Sequence, residues 1–162
     1  MKYGSTSVAA HSTAKILLID GNQNGLTARG MILREQGYVV ETASSGEEAW
    51  DVIQAGHFDV LIATYRLKGM NGVELISRVH AAGSPSRIIL LLTHAESLSL
   101  DATKMGADEI ISKGNREVAE LLRAVQKLAE AKPKRRPAAV QKARAAVRRA
   151  AADGSGPKAS GI

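Results

Sequence analysis

Phe58-Asp59-Val60-Leu61-Ile62-Ala63-Thr64-Tyr65-Arg66-Leu67-Lys68-Gly69-Met70-Asn71-Gly72 is the stretch on which the reading of the chain turns. Its apolar run, Val60 to Ala63, is bounded by polar residues and followed by a loop punctuated by Gly69 and Gly72. Such a run reads as a buried central strand feeding a loop at its carboxyl end. In an open α/β sheet, chemistry sits in the crevice at those carboxyl ends. Thr64 therefore stands where a functional side chain is expected.

Two strand-helix units lead into this stretch and two lead out. Lys15-Ile16-Leu17-Leu18-Ile19 is a β-rich run ending at Asp20-Gly21. Leu26, Met31, Ile32 and Leu33 predict a helix from about Asn24 to Gln36, stopped by Gly37. Tyr38 to Thr42 is a second strand. Ser45 can cap the next helix, with Glu47 and Glu48 favouring its dipole and Gly56 ending it. Beyond the central strand, a third helix starts near Asn71. Arg87 to Thr93 is a fourth strand, continuous in apolar character and hence buried on both faces. A helix from about Ser97 to Met105, a short strand over 108–113 and a last helix from Arg116 to about Lys132 complete the alternation. Five strands alternating with five helices predict a parallel sheet covered on both faces.

Charge divides the chain in two. Residues 1–130 hold 13 Lys+Arg against 15 Asp+Glu, and residues 131–162 hold 9 against one. The net charge of +6 thus combines −2 with +8, and the whole basic excess belongs to the tail. With no cysteine, disulfides, thiolate catalysis and Cys-ligated metals are excluded. One Trp, one Phe and three Tyr leave the core to aliphatic residues. No apolar run approaches the roughly 18 residues of a membrane span, and the first 14 residues make a poor secretory signal. A cytoplasmic protein is expected, with residues 1–13 disordered.

Residues 14–131 resemble a response-regulator receiver domain of the chemotaxis-regulator type. The motifs in register are Ile19-Asp20 after strand one, Arg66-Leu67-Lys68-Gly69-Met70-Asn71-Gly72 after strand three and Thr93 after strand four. Gly106-Ala107-Asp108 leads into strand five, which ends at Lys113. The resemblance implies a flavodoxin-like doubly wound five-stranded sheet, order 2-1-3-4-5, with five helices; beyond it, composition reads 132–162 as a basic Ala/Lys/Arg-rich tail, partly helical or disordered. The resemblance also implies an acid pair and an acceptor aspartate that hold Mg²⁺ through oxygen ligands. That acceptor attacks a phosphoryl group, and a hydroxyl and a lysine bind the phosphoryl oxygens.

This chain departs from that pattern. The acid pair is Asp20-Gly21, and the acceptor position is Thr64. Thr93 and Lys113 remain; His94 follows where a small residue is usual; Ile110 stands where a switching aromatic is common; Gly114 replaces a proline. Mg²⁺ binding and aspartyl phosphorylation at 64 are not expected, and no enzyme constellation survives. Asp20 is expected to pair with Lys113 or to cap the next loop, and Thr64 to bond loop backbone. His94 is expected to crowd the pocket or lie exposed. Asp59 sits at the wrong end of its strand to substitute.

The expected function is a degenerate receiver of a two-component system or phosphorelay that docks a signalling partner through its helix-4, strand-5, helix-5 face. The alternative is a DNA-associated, nucleoid-type protein in which the fold serves as a dimerisation or docking platform. Lys134, Arg135, Arg136, Lys142, Arg144, Arg148 and Arg149 would then neutralise phosphates. No aromatic residue interleaves these cations, so base stacking is not expected and binding would be sequence-tolerant. Contact with an acidic protein or an anionic membrane surface is the other use of such a tail.

Overall fold

Five apolar runs become five parallel strands: β1 Lys15–Ile19, β2 Val39–Ala43, β3 Val60–Thr64, β4 Arg87–Leu92 and β5 Glu109–Ser112. They form one sheet in the order β2-β1-β3-β4-β5, the doubly wound arrangement expected. Five helices connect or follow them: α1 Gln23–Glu35, α2 Gly46–Ala55, α3 Gly72–Ala81, α4 His94–Ser99 and α5 Glu117–Glu130. The computed structural model describes residues 14–101 and 105–131; the expectations for 1–13 and for the basic tail lie outside the described residues.

Strand periodicity splits the core. In β3, Leu61 and Ala63 face one layer while Val60 and Ile62 face the other; in β4, Ile88, Leu90 and Leu92 alternate with Ile89 and Leu91. One layer packs Ala49 and Ile53 of α2 with Leu75, Ile76 and Val79 of α3. The opposite layer packs Leu26 and Leu33 of α1 with Leu121, Val125 and Leu128 of α5. Because both faces are covered, β3 is buried at every residue. The aliphatic core demanded by the composition is what fills it.

Side-chain caps fix where the helices start. Asn22, Ser45 and Asn71 each accept a backbone N–H from the first turn of α1, α2 and α3. Thr93 and Glu96 form a reciprocal capping box, and it moves α4 forward of the expected Ser97 start, to His94. The expected strand over 38–42 is shifted by one residue for a comparable reason. Tyr38 is still bonded back to Leu33 of α1, so β2 begins at Val39.

Ahead of α2, the Glu48 carboxylate accepts from the Ser44 backbone N–H at 2.9 Å and the Ser44 hydroxyl at 2.7 Å. Those donors hold its pKa below the ordinary glutamate value. The stabilisation is complete above the ordinary value and is lost as pH falls through the lowered one. Glu48→Gln is therefore expected to lower the urea midpoint at neutral pH, and the gap from the parent should close as the buffer is acidified. A gap independent of pH contradicts this.

Candidate functional site

The sheet order reverses between β1 and β3, which opens a crevice at their carboxyl ends. Ile19 pairs with Ala63, so Asp20 emerges beside Thr64. Thr64 pairs with Leu91, and Leu92 with Ser112, which places Thr93 and Lys113 on the same edge. The register thus brings Asp20, Thr64, Thr93 and Lys113 to one rim, as their motifs predict.

Asp20 is 4% exposed. Its Oδ1 accepts from the Asn22 backbone N–H at 2.9 Å, the loop-capping role expected. Its Oδ2 accepts from Arg29 Nη1 of α1 at 2.7 Å. Arg29 Nε in turn donates to Glu117 Oε1, at the start of α5, at 2.5 Å. The cation on Asp20 is therefore Arg29, not the expected Lys113, which forms no ion pair among the described residues. Gly25 makes room for the Asp20–Arg29 pair. Residue 25 lies between the two groups, and a Cβ there would sit 2.6 Å from both Arg29 Nη1 and Asp20 Oδ2. Only glycine leaves the guanidinium room to lie along α1.

Thr64 is 1% exposed, and its hydroxyl donates to the Arg66 carbonyl at 3.3 Å, the loop-backbone bond expected. A kinase would have to open the loop to reach it. The Thr93 hydroxyl accepts from the Glu96 N–H at 3.2 Å, while Glu96 Oε2 accepts from the Thr93 N–H at 2.7 Å. Glu96 Oε1 also accepts from Arg66 Nε at 3.1 Å, joining the loop after β3 to α4. Arg66 is 86% exposed, so solvent screens that pair and the cap dominates. Glu96→Ala is expected to cost about 1 kcal/mol through the lost cap and to speed amide exchange in α4. Unchanged exchange there would contradict it.

His94 is exposed as the first residue of α4, so the expectation that it crowds the pocket is replaced by the exposure offered beside it. Gly21 is also exposed, and a Cβ there would meet nothing nearer than the Ser44 carbonyl at 3.8 Å. Asp59 lies at the amino end of β3, where it accepts from the Lys15 N–H, far from the rim. Ile110 is half-buried on β5 and packs against the layer that holds α2 and α3. Leu98 of α4 is 75% exposed and Val118 of α5 is 44% exposed. The tail residues Lys134, Arg135, Arg136, Lys142, Arg144, Arg148 and Arg149 lie outside the described residues.

This donor set does not suit a hard divalent cation, which needs several oxygen ligands at once. Both Asp20 oxygens are engaged, Gly21 has no side chain, and Thr64 supplies a neutral hydroxyl directed to a carbonyl. Among the described residues no group of three His, Cys, Asp or Glu side chains could hold a metal. No helix among them is long and apolar enough to cross a membrane. Arg29, Glu117 and Glu96 were not singled out by the sequence, and Arg66 entered only as the first residue of the motif after β3. Only the Thr93-x-x-Glu96 spacing carried a signal, that of a capping box.

Comparison with known proteins places this geometry. A family model described as response regulator receiver domain matches residues 16–126. Over 105 residues the chain is 29% identical to the transcriptional regulatory protein GlrR of Escherichia coli, covering 64% of this chain and 24% of that protein. Over 100 residues it is 26% identical to the transcriptional regulatory protein DltR of Streptococcus agalactiae, covering 61% of this chain and 45% of that protein. The chain thus spans less than half the length of these curated relatives. Among solved structures, the response regulator TrrA of Thermotoga maritima in complex with Mg²⁺-BeF is 31% identical, with a TM-score of 0.64, covering 71% of this chain and 98% of that one. TrrA bound to the histidine kinase ThkA matches at 30% identity and a TM-score of 0.63, covering 71% of this chain and 97% of that one.

Proposed function

The chain belongs to the response regulator receiver family of two-component signalling, and from that premise we propose that it is a phosphorylation-independent receiver that works by docking a signalling protein. Thr64 at the end of β3 is the observation that carries this reading. A buried hydroxyl bonded to a carbonyl has no carboxylate with which to form an acyl phosphate. With a donor set that does not suit Mg²⁺ as well, the population shift that a phosphoryl group would drive is unavailable.

The face that remains for contact is α4-β5-α5, on whose elements Leu98 and Val118 are exposed and Ile110 is half-buried. It would present one conformation and be read by a cytoplasmic partner of the kind that the TrrA–ThkA complex exemplifies for its own members. Amide exchange across α4, β5 and α5 is expected to be the same with and without acetyl phosphate plus Mg²⁺. A change in protection that disappears in a Thr64→Val variant would sink the reading.

The charge of residues 131–162 supports a second reading, in which the tail binds DNA. Nine basic residues against one acid would release counterions on contact with phosphates, so binding should weaken steeply with salt. A fluorescence titration of labelled duplex DNA with the full chain and with a chain ending at Ala131 decides it. Salt-sensitive binding by the full chain alone supports the tail's role, and equal behaviour of the two chains removes it.

A further inference from the structure

We propose that Arg29 is a resident counter-ion for Asp20, built into α1 in place of an exchangeable divalent cation, so that the crevice is held in one charge state whatever the Mg²⁺ concentration. A carboxylate that is 4% exposed is costly unless it is paired and hydrogen-bonded. Asp20 meets both conditions from within the chain, with Asn22 N–H on one oxygen and Arg29 Nη1 on the other. The guanidinium is oriented rather than loose. Its Nε is fixed by Glu117 of α5, and the side chains of Arg29 and Glu117 are only 13% and 14% exposed. Its planar fork lets separate N–H groups address two carboxylates at once, which a lysine ammonium on a flexible stem does less well.

Gly25 is the third part of the device. It leaves the space that a methyl group would take 2.6 Å from both charged atoms. A divalent ion approaching Asp20 must therefore displace a covalently tethered cation whose effective concentration cannot be diluted. This deepens the phosphorylation-independent reading by giving the crevice a fixed occupant. Its own test is separate, because it probes Asp20 and Arg29 while a phosphoryl label would report on residue 64.

The experiment is a set of thermal melts of the full chain in millimolar MgCl₂ and in NaCl of matched ionic strength. The parent should melt at the same temperature in both. Arg29→Ala should melt lower by roughly 10 °C in NaCl, because a buried carboxylate loses its partner, and should recover several degrees in MgCl₂. The double variant Asp20→Asn/Arg29→Ala should regain most of the loss and show no specific response to Mg²⁺. The double variant also decides the case if Arg29→Ala alone does not fold: a folded, Mg²⁺-indifferent protein supports the counter-ion role, and an unfolded one overturns it. Equal Mg²⁺ stabilisation of the parent and Arg29→Ala would overturn it too, as would a deficit in Arg29→Ala that neither Mg²⁺ nor Asp20→Asn relieves.

Discussion

Gly72→Ala is expected to destabilise the fold by about 3 kcal/mol, with a lower urea midpoint at unchanged slope. The loop after β3 folds back so tightly that the Gly72 N–H donates to the Tyr65 carbonyl at 2.7 Å. A Cβ at 72 would lie 2.5 Å from the Thr64 carbonyl oxygen, 3.1 Å from Leu90 Cδ1 and 3.2 Å from Tyr65 Cα. Two of these neighbours are backbone, and the oxygen belongs to the central strand. No rotamer change relieves the clash, so either α3 or the end of β3 must shift. Gly114→Ala is the control, because a Cβ there meets nothing within 4 Å. It should change stability by no more than about 0.5 kcal/mol. Comparable losses in the two variants would show that composition, not the close approach at Gly72, sets the effect.

Thr64→Asp is expected to leave the protein unlabelled by acetyl phosphate and Mg²⁺ and to destabilise it by about 2 kcal/mol or more. It restores the family's nucleophile in name, yet its surroundings are those of a hydroxyl. The site is 1% exposed, and the partner of the Thr64 hydroxyl is the Arg66 carbonyl, an acceptor that repels a carboxylate. The neighbouring Asp20 is already engaged by Asn22 and Arg29, and Gly21 offers no second acid. A carboxylate introduced there sits beside the acid Asp20 and against the Arg66 carbonyl, two acceptors that oppose its charge. Urea unfolding reads the stability and intact-mass measurement reads the labelling. A stable variant that accepts a phosphoryl group would show that Thr64 alone separates this crevice from a working one.

The sheet was legible because its strands are written as short apolar runs broken by polar and glycine residues, and β3 and β4 are apolar enough to announce burial on both faces. The site was legible as far as register carries. Asp20, Thr64, Thr93 and Lys113 each follow a strand end, and a parallel sheet puts such ends on one rim.

The partnerships on the rim were not legible. Arg29 lies 88 residues from Glu117, and neither belongs to a motif, so nothing in spacing predicts that α1 delivers a guanidinium between β1 and α5. Lys113 was the candidate by strand order, but Arg29 is the cation on Asp20, in the room that Gly25 leaves. The helix expected from about Ser97 begins at His94 instead. Thr93 and Glu96, three residues apart, already spelled a capping box.

Intact-mass measurement of the full chain after incubation with acetyl phosphate and Mg²⁺ asks whether a phosphoryl group is carried at the end of β3. An unchanged mass is expected in the parent and in Thr64→Val alike. A gain of one phosphoryl group in the parent that is missing from Thr64→Val would contradict it.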